Sequence, residues 1–358
     1  MKKYNVLDLF CGAGGLSLGF QLAGYNIVGV IDFKEDAVAT HDKNFKNSNS
    51  ICCDITKITD EEIIKMFGNG KVDVIIGGPP CQGFSAGNRQ GIENDPRNKL
   101  FFEFIRFVKI LNPKAIVIEN VRQILTKDNG FAKNKIFEIL EGLNYFVDVR
   151  VLTASDFGVP QNRNRAIFVG IKKNIGTFDY NSIKKVKNKV SVKEAIGELY
   201  ALEDGTTNEL KVSPSTRFQK YVRAKNNIVL NHEPRYPNKE VQERMKYVPQ
   251  GGNWRDVPKH LWKVQRNNRH SSAYRRLDET KPSITIDTGH MNYFHPIYNR
   301  VPTVRESARL QSFPDDFEFV GTPTSQLRQV GNAVPPLMAK AIANMIKDVL
   351  DNEKQKNN

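Results

Sequence analysis

Up to Ile171 the chain alternates between short apolar runs of strand length and segments with helical spacing. This rhythm limits the folds open to it more than any other feature. The runs at 5–10 (NVLDLF), 27–31 (IVGVI), 49–53, 72–76, 115–118 (AIVI) and 146–152 read as strands. Helices are expected at 16–22, 35–41, 60–67, 100–111 and 131–143. A run that is apolar on both faces needs cover on both faces, so strands separated by helices imply a mostly parallel sheet between helical layers. The expected fold is α/β, a doubly wound, mostly parallel, Rossmann-like sheet, joined to a second, smaller domain.

The alternation fails after Ile171. A basic link at 184–189 (KKVKNK) leads into a stretch, as far as Arg300, that is rich in Pro, Asn and Arg and holds only short β-like runs. Order returns at 337–350, an amphipathic helix expected to pack back on the first sheet. The expected division is therefore 1–175, 176–300 and 301–358. The 358 residues carry a formal net charge of +14. Residues 211–300 hold 18 Lys and Arg against 7 Asp and Glu. Concentrated positive charge is the footprint of a polyanionic partner, although a solvated basic surface has the same composition. No signal peptide is evident, and no run approaches the roughly 20 apolar residues of a membrane span. A cytoplasmic protein with no membrane partner is expected.

Three acidic residues, Asp32, Asp54 and Glu119, each follow an expected strand, where ligands bind in open α/β sheets. Phe10-Cys11-Gly12-Ala13-Gly14-Gly15 follows the first strand in the same way. Asp32 stands at the distance from this loop that suits a carboxylate to a ribose hydroxyl. The loop is not a dinucleotide fingerprint, because Ser17 stands where G-x-G-x-x-G needs its third glycine. It suits a nucleoside ligand without a pyrophosphate, adenosylmethionine being the obvious candidate; a plain tight turn explains the glycines as well. Residues 77–85 (GGPPCQGFS) say more. Two prolines fix the backbone just before Cys81 at a strand's carboxyl end, which would hold the thiol rigidly at the mouth of the sheet. A lone cysteine is usually buried and inert, but rigid prolines and polar neighbours argue against that fate. The other cysteines, Cys11, Cys52 and Cys53, form no C-x-x-C pair and no zinc-like cluster with histidine, so no metal is expected.

The ordered set 8–20 (DLFCGAGGLSLGF), 77–85 (GGPPCQGFS), 119–121 (ENV), 161–165 (QNRNR), 309–317 (RLQSFPDDF) and 329–336 (QVGNAVPP) resembles the DNA cytosine-5 methyltransferases of the bacterial restriction-modification type. Any one motif could arise by chance; six in this order could not. The resemblance implies an S-adenosylmethionine-dependent enzyme that methylates carbon 5 of a cytosine flipped out of duplex DNA. It implies Cys81 as the nucleophile toward carbon 6, Glu119 as the acid at nitrogen 3, and Arg163 with Arg165 as a basic pair supporting the base and the catalytic site. Phe10, Gly12, Gly14, Asp32, Phe33, Asp54, Ile55, Pro80, Leu100 and Asn332 match cofactor-contacting positions. Asp32 is shorter than the family's frequent Glu, and Cys11 stands where a small residue is more usual.

By the same resemblance, 1–175 is the catalytic and cofactor-binding domain, 176–300 recognises the target, and 301–358 is a hinge and return. Residues 85–98 resemble a mobile loop that closes on DNA. Trp254, Tyr274, Arg275, Arg276 and His290 are candidate DNA contacts, though aromatic residues in a small domain are more often core. A monomer working at the nucleoid is expected, possibly beside a cognate restriction endonuclease that acts separately. A transfer-RNA cytosine methyltransferase on the same fold would show a Cys-Phe-Thr tripeptide, which this chain lacks. A catalytically inactive binding module is opposed by the intact Cys81, Glu119 and Arg165.

Overall fold

The computed structural model describes residues 3–68, 70–80, 98–263, 274–288 and 292–356. The chain forms two compact units, one of Met1–Thr153, Asn164–Lys185 and Val334–Asn358, the other of Ala154–Arg163 and Val186–Ala333. The divisions thus fall at Lys185 and Ala333 rather than at 175 and 300. The short piece Ala154–Arg163, which no sequence signal announces, belongs to the second unit.

The first unit contains, in chain order, β1 (Asn5–Leu9), α1 (Gly15–Leu22), β2 (Asn26–Asp32), α2 (Glu35–Asn44), β3 (Asn49–Cys52), α3 (Asp60–Phe67) and β4 (Val74–Gly77). Then come α4 (Lys99–Leu111), β5 (Ala115–Val121), α5 (Phe131–Gly142), β6 (Tyr145–Thr153) and β7 (Asn164–Lys172). The sheet runs β3-β2-β1-β4-β5-β7-β6. β1 to β5 are mutually parallel, and β7 lies antiparallel between β5 and β6. The chain starts at the centre, winds out through β3, then returns to place β4 against the other side of β1. That reversal opens a crevice outside the carboxyl ends of β1 and β4.

Local sequence explains the elements. Val and Ile fill β1, β2, β4 and β5, and their side chains are almost wholly buried. Thr59 starts α3 with a reciprocal cap to Glu62. α4 ends at Asn112, in the left-handed region at φ 46°, just before Pro113. Its Phe101, Phe104 and Phe107 are fully buried in the core under the sheet, each worth roughly 1.5–3 kcal/mol of burial.

The second unit is mostly irregular. It holds α6 (Val192–Ile196), α7 (Arg217–Val222), α8 (Lys239–Lys246), two-residue strands β8 (Arg275–Arg276) and β9 (Tyr293–Phe294), α9 (Val304–Leu310) and α10 (Pro323–Asn332). The β-like runs expected here are therefore mainly extended loop. Charge pairs supply much of the interior. Arg300 bonds both Glu203 and Glu306; Arg309 bonds Asp315 and Glu198; all of these are buried or nearly so. His295 Nε2 lies 3.6 Å from Glu306, but this is not an ion pair. Burial pushes His295 down to about 4. Its Nδ1 accepts from the Ile297 and Tyr298 amides, so the one proton sits on Nε2.

α11 (Pro336–Lys356) returns to the first unit. It packs chiefly along α1 rather than directly on the sheet. A Cβ at Gly19 would meet Ala339 Cβ at 2.3 Å and the Pro336 carbonyl at 2.7 Å, so only glycine lets the two helices meet there. Tyr25 donates to the Ala343 carbonyl at 3.0 Å and fastens the far side.

Candidate active site

The carboxyl edge of the sheet gathers most of the residues singled out from sequence. At the end of β1, Phe10 turns into the left-handed region at φ 61° and donates its amide to the Ile31 carbonyl at 2.8 Å. The Gly12 amide donates to Asp32 Oδ2 at 2.9 Å, and the Lys34 amide to Asp32 Oδ1 at 3.0 Å. Asp32, the last residue of β2, therefore fixes its own turn and the glycine loop together, while each oxygen keeps a further acceptor position. Gly14 caps α1 at φ 88°. A Cβ there would lie 2.8 Å from the Phe45 ring and 2.9 Å from the His41 ring, so both conformation and space require glycine. His41 and Phe45 stack with centroids 4.0 Å apart, and burial pushes His41 down to about 3, keeping it neutral.

The rest of the cradle follows. Phe33 is 65% exposed, an aromatic face left to solvent beside the loop. Asp54 is exposed beyond β3, held below the usual carboxylate range by the amide and hydroxyl of Thr56, and Ile55 next to it is buried. Leu100 is half-buried on α4 against the core. Pro79 is buried and Pro80 exposed at the end of the β4 turn. A ring face, two carboxylates and a glycine loop at one edge fit an adenosyl group, so the expected cofactor suits these residues.

Glu119 does not stand past its strand, as the sequence suggests, but within β5. There it is paired in register with Ile167 of β7. The antiparallel direction of β7 matters here: it brings its amino end to the edge where the parallel strands end. Arg165 pairs with Val121, diagonal to Glu119, and Arg165 Nε reaches Glu119 Oε1 at 2.7 Å. Their side chains are 16% and 13% exposed, so the pair is largely screened from water. Arg165 Nη1 is anchored on the Asn164 carbonyl at 2.8 Å. The position a Cβ would take on Gly78 lies 3.2 Å from Glu119 Oε2, so the acid faces the turn that leads to Cys81. Cys81 itself and residues 85–97 of the expected loop lie outside the described residues, as does His290.

Two residues that sequence reasoning passed over join this site. Asn120 Nδ2 donates to the Pro79 carbonyl at 3.1 Å, tying the strand of the acid to the proline turn. Its signal was present as the middle letter of ENV. Asp8 is fully buried, accepts from Ser17 Oγ at 2.6 Å, and has no partner on Oδ1. Burial, with Asp32 nearby, raises its carboxyl to about 7.

Other candidates lie in the second unit. Arg163, 1% exposed, belongs to the second unit and donates to backbone carbonyls there. Asn332 ends α10, also in the second unit. Arg276 is buried and donates to the carbonyls of Val248, Met245 and His295, and Tyr274 packs on Trp262 and Phe294. Arg276 is core, and Tyr274 is half-buried against a small apolar cluster. Arg275 is half-buried and Arg255 exposed over the Trp254 ring. Among the described residues there is no cluster of groups that could hold a metal, and no helix long and apolar enough to cross a membrane.

Comparison with known proteins gives a consistent result. Residues 4–348 match the family model described as C-5 cytosine-specific DNA methylase. The Type II methyltransferase M1.HphI of Haemophilus parahaemolyticus is 38% identical over 97% of this chain and 87% of its own length. The Type II methyltransferase M.DdeI of Desulfomicrobium norvegicum is 36% identical over 97% and 89%. A solved structure described as a DNA modification methyltransferase encoded within an E. coli prophage superposes with a TM-score of 0.79 at 31% identity, covering 98% of this chain and all of that one.

Proposed function

The chain belongs to the C-5 cytosine-specific DNA methylase family, and from that premise we propose how its own residues divide the work. It is an S-adenosylmethionine-dependent DNA cytosine-5 methyltransferase. The observation that carries the assignment of roles is the Glu119–Arg165 pair, held at the carboxyl edge beside the Gly77-Gly78-Pro79-Pro80 turn.

The glycine loop with Asp32, Phe33, Asp54 and Ile55 would hold the adenosyl group, which when bound supplies an electrophilic methyl. The Cys81 thiolate forms a bond to carbon 6 of a flipped cytosine, and the ring electrons move toward carbon 5. Glu119 engages nitrogen 3 and draws off that density; Arg165 fixes the carboxyl so that it needs no reorientation as charge develops. Carbon 5 would take the methyl that the bound cofactor supplies, then give up its proton to solvent as the bond between the Cys81 sulfur and carbon 6 breaks, which restores the aromatic ring and frees Cys81. The basic second unit supplies phosphate and base contacts. The reading extends to a monomer at a bacterial nucleoid that protects DNA sites from a separately acting restriction endonuclease.

The test is transfer of label from radiolabelled adenosylmethionine to mixed-sequence duplex DNA, run beside Cys81→Ala and a transfer-RNA pool. Label on carbon 5 of cytosine in DNA, absent with Cys81→Ala, is the expected result. Label in RNA alone, or transfer that survives Cys81→Ala, overturns the assignment.

A further inference from the structure

Asp54 and Ile55, proposed to hold part of the adenosyl group, sit on a short turn between β3 and α3 that is fastened at both ends. At its start the Cys53 amide donates to the Asp32 carbonyl at 3.0 Å, which hangs the turn on the end of β2. Asp54 Oδ1 accepts from the Thr56 amide at 3.0 Å, and the Asp54 carbonyl from the Lys57 amide at 2.8 Å, so the chain winds once. At the far side the fastener is Arg106 of α4. Its Nη2 donates to the carbonyls of Ile58 at 2.8 Å and Ile55 at 3.3 Å. Its Nη1 donates at 2.6 Å to Oδ1 of Asp60, the first residue of α3. Nε donates to Glu103 Oε2 at 2.8 Å, one turn back on α4, which steadies the guanidinium. Ile55 and Ile58 are themselves buried in the core with Phe101, Phe104 and Ile105. Every one of these partners belongs to the first unit.

The ion pair is the weaker part of this contact. The Asp60 side chain is 59% exposed, so water competes for it. The carbonyl bonds are different in kind. A guanidinium carries its N–H donors in a fixed plane, so it holds two carbonyls of one turn at a set separation. Bonds from a charged donor are also stronger than those between neutral groups. A turn fixed in advance spares a ligand the cost of ordering it on binding. We infer that Arg106 is a positioning residue for the cofactor site: through the Ile55 and Ile58 carbonyls it holds the Asp54–Ile55 turn in its binding shape, and it ties that turn to α4, the helix that also carries Leu100. Its effect is exerted through the turn and not on a reacting group. This deepens the reading of the chain as an S-adenosylmethionine-dependent methyltransferase and rests on it.

The experiment compares the full-length wild type with Arg106→Met, which removes the carbonyl bonds and the ion pair together, and Asp60→Asn, which neutralises the ion pair and leaves the carbonyl bonds. Four quantities are read: the Kd of S-adenosylhomocysteine by calorimetry, the Kd of adenosine by competition against it, kcat at saturating cofactor and DNA, and the thermal midpoint. Arg106→Met is expected to raise both Kd values by the same factor, about tenfold, and to change kcat by no more than about twofold. Asp60→Asn leaves both Kd values near the wild type. Arg106→Lys, which serves one carbonyl, gives an intermediate shift and stands in if Arg106→Met does not fold. A lowered thermal midpoint with unchanged Kd values would make Arg106 a staple between α3 and α4 and overturn the inference. So would a loss confined to S-adenosylhomocysteine with adenosine unaffected, or an equal loss in Asp60→Asn. If the wild type itself binds no S-adenosylhomocysteine, the cofactor reading fails and the inference with it. That failure shows in the wild type alone, whereas failure of the inference shows only in the variants.

Discussion

Glu119 and Arg165 act as one device, and their variants should show it. Glu119→Gln removes the acid, and kcat should fall by about a hundredfold or more in the labelled-methyl assay with DNA binding retained. Asp8 makes a prediction of a different kind. Its folded carboxyl titrates near 7, against an ordinary value of 3.8. The folded state thus keeps a proton that the unfolded chain releases, so this group costs stability progressively as pH rises from about 4 to about 7. Asp8→Asn cannot titrate. Denaturant midpoints compared at about pH 5 and about pH 8 should fall further for the wild type than for the variant; parallel curves would show that Asp8 does not titrate in that window.

Cys81 and Glu119 stand out in the sequence because proline and acid at strand ends have few other uses. Arg163 does not. It reads as a partner of Arg165 only through the family resemblance, and β7 begins at Asn164, between the two.

Among elements, the parallel strands β1, β2, β4 and β5 were legible because a doubly covered strand must be largely apolar. Only their ends differ, by a few residues. β7 was missed altogether, being read as no strand, and its antiparallel direction leaves no mark on hydrophobic pattern; Glu119 was set past a strand that in fact continues under it. The second unit misled for a related reason. Its short apolar runs resemble strands, but its interior is closed by arginine–carboxylate pairs that pattern reading cannot assemble. Two elements offer tests. Gly14→Ala forces a side chain into the left-handed region and against Phe45. It should cost roughly 1–2 kcal/mol in strain alone and weaken cofactor binding, read by thermal shift with and without adenosylmethionine. In α9, Glu306 accepts from Arg300 and closes a capping box with Thr303. Glu306→Leu leaves a buried guanidinium short of a partner and should cost about 3–5 kcal/mol in denaturant unfolding.

At the scale of the molecule, charge and burial act in opposite ranges. If residues of the basic second unit meet phosphates, log affinity for DNA should fall by about 0.9 per contact for each unit of log salt. A flat profile would remove the electrostatic role given to 211–300. Acid acts on the interior: His41, His232 and His295 are all held neutral by burial, below the usual histidine value of 6.5. The unfolded chain takes up protons first, so stability should decline as pH drops from about 6.5 toward 4, visible as a falling urea midpoint.

The ten residues between β6 and β7 carry a practical lesson for anyone who would transplant sequence preference between relatives. The second unit, proposed to recognise the target, is not one insertion but two pieces, and the shorter piece brings Gln161 and Arg163, which bond the longer one. A chimera that exchanges only 186–333 would join a foreign knot to a native lock. Exchanging 154–163 along with it carries both halves of the fastening, and the graft then arrives with its own seam.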